Sequence, residues 1–211
     1  MSQHQLGRVL NGFCHTLQDC KRLATDGYQW SLPGSQPHIS KTRAESITGL
    51  AFLRACIAWE TFLEESFILY LIGRTAPRGR APRRFAFPPS RGIAEEWVIP
   101  EGRRFANWGE DNVSNRAERF FRGGYPFTPA LRNHANTLSE MRTIRNAIAH
   151  GSGNCWENFK TLVRNKLTIL PPHLTIGSFF NTTITGSTPP QSFLEYYLDI
   201  LESVARQIIP V

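Results

Sequence analysis

Residues 46–72 read SITGLAFLRACIAWETFLEESFILYLI, and this stretch decides the fold. Leu50, Phe52, Leu53, Ile57, Trp59, Phe62, Leu63, Phe67, Ile68 and Leu71 fall on most faces of one helix. That helix is expected to begin near residues 42–46 and to stop at Gly73. A helix apolar nearly all round is covered on several sides, so it marks the centre of a bundle or a face used by a second copy of the chain. Arg54, Glu60, Glu64 and Glu65 interrupt it well short of the ~18 uncharged apolar residues of a membrane span.

Working outward, Leu6, Leu10, Phe13, Leu17 and Leu23 recur at helical steps and predict a first helix over about residues 3–25. Asp26-Gly27 and the run 32–37 (Leu-Pro-Gly-Ser-Gln-Pro) read as turns. A third main helix is expected after Pro129, ending at His150-Gly151, with Leu131, Leu138, Met141, Ile144 and Ile148 as its apolar stripe. A shorter helix is expected over 155–165. Residues 174–185, rich in Thr, Ile and Phe, read as β-prone and predict a small hairpin before the last helix. That helix follows Pro189-Pro190 and carries Phe193, Leu194, Tyr197, Leu198, Leu201, Val204 and Ile208 on one face. The fold class is mainly α, a helical bundle read as a single domain over all 211 residues.

The charge is uneven. Lys+Arg is 24 against Asp+Glu 17, a net charge of +7, and 20 of the 24 are Arg. Guanidinium groups grip phosphate through a planar fork of donors, so the balance suits a nucleic-acid partner. Residues 74–104 concentrate it: eight Arg, five Pro and only three acids. The segment reads as a long basic insertion with little regular structure, and Arg78, Arg80, Arg83 and Arg84 are its candidate RNA contacts. One or two short helices are expected over 103–121, with Arg116, Arg119 and Arg122 adding cations. The four Cys stand at 14, 20, 56 and 155, with no CxxC pair and no His beside them. This excludes a zinc site and a disulfide framework, and points to a reducing cytoplasm with no metal and no cofactor.

One string carries chemistry: Arg145-Asn146-Ala147-Ile148-Ala149-His150, at the end of a helix before a glycine stop. An Arg followed, after four to six intervening residues, by a His is common, and in a chain this Arg-rich chance supplies about two such pairs. The second here is Arg8 with His15, in a helix with a plain core stripe, and it serves as a decoy. The setting distinguishes the first. Asn146 and His150 share one helix face, as do Arg142 and Arg145. Arg145 and His150 diverge by about 140° on an ideal helix, so one copy does not focus them on one atom. A second copy across a two-fold axis brings Arg and His into a shared cleft.

Arg-Asn-(three residues)-His closing a helix before Gly resembles the signature of the HEPN superfamily. Trp59-Glu60-Thr61-Phe62 inside an apolar helix and the run Phe193-Leu194-Glu195-Tyr196-Tyr197-Leu198 strengthen the likeness, which is greatest to the RiboL-PSP-HEPN branch. The resemblance implies an all-α homodimer, and in many members a metal-independent ribonuclease acting as a toxin or phage-defence effector. It implies Arg145 and His150 as the catalytic pair and Asn146 as their polar helper. From the residues themselves, Arg142 in the same last turns is a supporting candidate, and so is Glu60, a polar residue in an apolar helix whose alternatives are an ion pair with an Arg across the core or a reach to the active site. An antitoxin or other regulatory protein is the expected further partner. Members paired with nucleotidyltransferase antitoxins carry Tyr two residues after the His. This chain has Ser152, so control by nucleotide addition there is not expected.

The chemistry stands without the likeness. RNA carries its own nucleophile, the 2′-OH beside the scissile phosphate. Cleavage needs a base for that proton, an acid for the leaving 5′-oxygen and positive charge on the phosphorane. His suits the first two tasks and Arg the third. Two His150, one per subunit, divide the base and acid roles. The products are a 2′,3′-cyclic phosphate and a 5′-hydroxyl, and DNA is spared. The alternative is a catalytically inert HEPN-like fold that binds RNA or acts as a protein-interaction scaffold.

Overall fold

The computed structural model describes residues 4–101 and 106–211. Helix makes up 67% of the structure, and no strand occurs among the described residues. The order is α1 (His4–Trp30), α2 (Lys41–Leu71), α3 (Arg91–Val98), α4 (Glu110–Phe120), a 3-10 turn (Arg122–Gly124), α5 (Phe127–Arg132), α6 (Ala135–His150), α7 (Gly153–Leu167), α8 (Ile176–Phe180) and α9 (Phe193–Ile208). The chain forms two compact units. One holds Met1–His15, Ala58–Ala135 and Leu201–Val211; the other holds Thr16–Ile57 and Asn136–Ile200. The long helices α1, α2 and α9 each contribute residues to both.

Aromatic side chains build the core of the first unit. Phe67 lies 5.0–6.1 Å, centroid to centroid, from the rings of Trp108, Phe120, Phe121 and Phe127. Phe13, Trp59 and Phe62 form a second cluster, with Trp59 3% exposed. Such pairs contribute about 0.5–1.5 kcal/mol each beyond the area they bury. The Tyr70 hydroxyl donates to the Ile208 carbonyl at 2.7 Å, tying the end of α2 to the end of α9. In the second unit Phe52 packs on Phe180 and Tyr197, and Phe179 on Phe159 and Phe193.

Helix α2 runs as its apolar pattern predicts and ends where Gly73 adopts φ +87°. By length and composition it is the one helix among the described residues that matches a membrane span, and half of that window is buried inside the chain. Most of its apolar side chains are covered by the chain itself. Leu50 (60% exposed) and Ile57 (55%) remain outside, seven residues apart.

Four expectations are corrected. Helix α1 continues through Asp26-Gly27 to Trp30. Gly27 is buried against Ile47, whose Cγ2 would lie 3.2 Å from an added Cβ, so this glycine serves close helix packing rather than a turn. The insertion holds a helix, α3, whose first turn is capped by Ser90. Arg91 of α3 bonds both carboxylate oxygens of Glu65 and also Glu95, which removes one cation from the basic excess. The expected helix after Pro129 is two helices, α5 and α6, broken at Asn133-His134. The β-prone stretch 174–185 forms helix α8, held by a reciprocal cap between Thr175 and Ser178. All that survives of the hairpin is an isolated antiparallel bridge, Thr183 to Ser192. Arg103 and Arg104 of the insertion lie outside the described residues.

Glu64 is a half-buried carboxyl in the first unit. Burial raises its pKa above the ordinary value, Glu65 adds to the rise, and a hydrogen bond from Trp108 opposes it. The folded state therefore binds this proton more tightly than the unfolded state, and the group gains stability as pH falls toward the ordinary value of about 4.3. Glu64→Gln should raise the melting temperature at neutral pH, and the gain should shrink near pH 4. Thermal unfolding at the two pH values tests this; a lower melting temperature at neutral pH would contradict it.

Candidate functional site

Helix α6 positions the motif. Leu138, Met141, Ile144 and Ala147 are buried at three-residue steps, which turns the opposite face outward. Glu140 fixes the helix in place: it accepts from the Tyr197 hydroxyl at 3.1 Å and pairs with Lys166 of α7 at 2.8 Å. Burial, with the neighbouring Glu140 carboxylate, holds the Tyr197 hydroxyl protonated far above its usual range. The helix stops at Gly151, with φ +54°. Ser152 then caps α7, its hydroxyl accepting from the Cys155 amide at 3.4 Å. The residue found where the likeness has a Tyr thus performs a local structural task.

Arg142, Arg145, Asn146 and His150 all lie in the last turns of α6, within the second unit. Arg142 and His150 are exposed; Arg145 and Asn146 are half-buried. The Arg145 guanidinium points its Nη1 at the Asn146 side-chain oxygen, 3.4 Å away, so these two form one polar group beside the buried stripe. The arrangement presents a fixed positive charge, an amide and an imidazole at one helix end. The Arg145–Asn146 pair has the chemistry to hold a phosphate oxygen, and the exposed His150 imidazole that to exchange a proton. Glu60 lies half-buried on α2, in the first unit.

The four candidate RNA contacts share the first unit and are not alike. Arg78, Arg80 and Arg83 are exposed. Arg84 is half-buried, donates to the Leu71 carbonyl at 2.9 Å, and lies 4.9 Å from the Phe87 ring centroid. It completes the end of α2, where the last carbonyls of a helix need donors. Arg116, which the sequence adds to the basic excess, is buried beneath the Trp108 ring at 4.7 Å and donates to the Asn107 carbonyl. Burial lowers its pKa from the usual guanidinium range. Sequence reasoning missed Tyr125, which joins Arg80, Arg83 and Arg122 around a cavity. Only the register between two distant segments places it there. Among the described residues no three His, Cys, Asp or Glu side chains gather as a metal site. Comparison with family models, curated proteins and solved structures finds no match to this chain.

Proposed function

We propose that this protein is a metal-independent endoribonuclease of HEPN type, working as a homodimer and serving as a toxin or phage-defence effector. One observation carries the reading: Arg145 and Asn146 are linked at 3.4 Å beside the buried stripe of α6, and His150 is exposed at the end of the same helix. In the proposed reaction His150 takes the 2′-OH proton, a second His150 protonates the leaving 5′-oxygen, and Arg145 holds the phosphorane charge. The test is incubation of a mixed RNA with the protein in excess EDTA. The expected products carry cyclic phosphate and 5′-hydroxyl ends; loss of activity with EDTA would overturn the reading.

The dimer is part of the same proposal. Leu50 and Ile57 are the exposed apolar pair of α2, and a second copy seated there would cover them. Light scattering at micromolar concentration should give about twice 23.9 kDa. Leu50→Asp with Ile57→Asp should give the single-chain mass and abolish cleavage. A single-chain mass for the unsubstituted protein would remove the composite site.

The inert RNA-binding reading also has an observation in its favour. The exposed cations Arg78, Arg80 and Arg83 belong to a different unit from the α6 motif, so RNA contacts made there would not require an active motif.

A further inference from the structure

Residues 78–85 are fixed by the backbone at both ends. The Arg78 amide donates to the Pro210 carbonyl at 3.1 Å. Gly79, with φ +84°, passes so close to Pro210 that an added Cβ would lie 2.6 Å from its ring, and 3.8 Å from the Tyr125 hydroxyl. Further on, Phe85 donates to the Phe120 carbonyl and Arg122 to the Arg83 carbonyl, both at 2.9 Å, on either side of the antiparallel bridge Arg84–Phe121.

That register sorts the side chains. Phe121 is fully buried and Arg84 reaches the Leu71 carbonyl on the same side. Arg83 and Arg122, one step away on each segment, face each other on the other side. Two like charges placed directly opposite on neighbouring segments repel, and such pairs are destabilising. Here a third cation, Arg80, joins them around one cavity of about 640 Å³ with Ala81 and Tyr125, and among the described residues no acidic side chain lines it. Among the described residues none of the three guanidinium groups has an ion-pair partner. Folding thus concentrates positive charge in a concave, pre-shaped place and leaves it uncompensated, which is the electrostatic form of an anion site.

We propose that this cavity binds the phosphate of a nucleotide, with the guanidinium groups of Arg80, Arg83 and Arg122 on the phosphate oxygens and the adjoining base against Tyr125. Guanidinium forks match phosphate geometry in bidentate fashion. The volume is several times that of a phosphate alone and leaves room for the nucleoside. Tyr125 is half-buried and lines the cavity beside the three arginines. Base stacking on an aromatic ring tolerates any base. The site needs no chemistry at His150 and goes beyond the cleavage reading. A free nucleotide and single-stranded RNA share the chemistry that it recognises.

The experiment titrates the full chain with adenosine monophosphate, adenosine, inorganic phosphate, and a short 2′-O-methyl RNA that lacks the nucleophile for cleavage. The expected result is saturable binding of at least one phosphate-bearing nucleotide probe and none of adenosine. Binding of the monophosphate assigns a free-nucleotide pocket; binding of the oligomer alone assigns an RNA contact. Arg83→Gln with Arg122→Gln should weaken binding at least ten-fold and flatten the salt dependence of oligomer binding. Tyr125→Ala should weaken the nucleotide probes and spare inorganic phosphate. Arg80→Gln gives an independent reading on a side chain outside the bridge, and thermal unfolding checks that each variant is folded. No binding of any probe, or equal affinity in the folded double variant, would overturn the proposal.

Discussion

Replacing His150 with Ala is expected to cut RNA cleavage by ~10²–10⁴-fold, the usual worth of a positioned general acid or base. Arg145→Ala is expected to cost ~10²–10³-fold, by analogy with other fixed donors to a developing anion. Both variants should stay folded. His150 is exposed at the last position of α6, and the buried contacts of that helix come from Leu138, Met141, Ile144 and Ala147. Arg8→Ala and His15→Ala, drawn from the decoy pair, should leave activity within a few-fold. The measurement is single-turnover cleavage with EDTA present, read by product ends as well as by rate. Full activity in folded His150→Ala would remove the assignment, and the inert RNA-binding reading would take its place.

The largest expected effect on stability comes from Gly177→Ala. Helix α8 lies directly on the first turns of α2: an added Cβ at Gly177 would fall 2.3 Å from the Glu45 carbonyl oxygen and 2.4 Å from its Cα. Those atoms are helical backbone and cannot swing aside as a side chain can. The Glu45 carboxylate also accepts from the Thr175 hydroxyl at 2.8 Å, so the two segments are joined where the clash would arise. Overpacking at yielding sites costs about 1–3 kcal/mol, and this site should lie at or beyond the upper end. A fall in melting temperature of roughly 10 °C follows for a chain of this size. Gly92→Ala, in α3 with no neighbour within 4 Å, should leave the melting temperature unchanged or slightly raised. Equal melting temperatures for the two variants would contradict the packing described.

What the sequence revealed, and what it hid, follow from the range of the forces involved. Helices α2 and α9 and the end of α6 were legible because apolar spacing and the Gly73 and Gly151 stops are local signals. The placement of residues 145–150 at the end of a helix was legible for the same reason, since Gly151 is a local stop. Gly27 was misread as a turn because its role depends on Ile47, twenty residues away. The 174–185 stretch has strand-like composition, yet Gly177 and Thr175 bind it to Glu45 as a short helix, and packing outweighs propensity. The division of labour between Arg83 and Arg84 was hidden from composition altogether. It depends on a single bridge to Phe121 that sends one side chain inward and its neighbour outward.

The anchored loop also bears on how fast and how tightly anions can be captured. An arginine-rich strand that is free in solution gives up backbone freedom on contact, and that ordering cost weakens its affinity. Residues 78–85 have already lost that freedom through Pro210, Phe120 and Arg122. The entropy is surrendered in folding, so association should proceed at a rate set by electrostatic steering, without a slow ordering step.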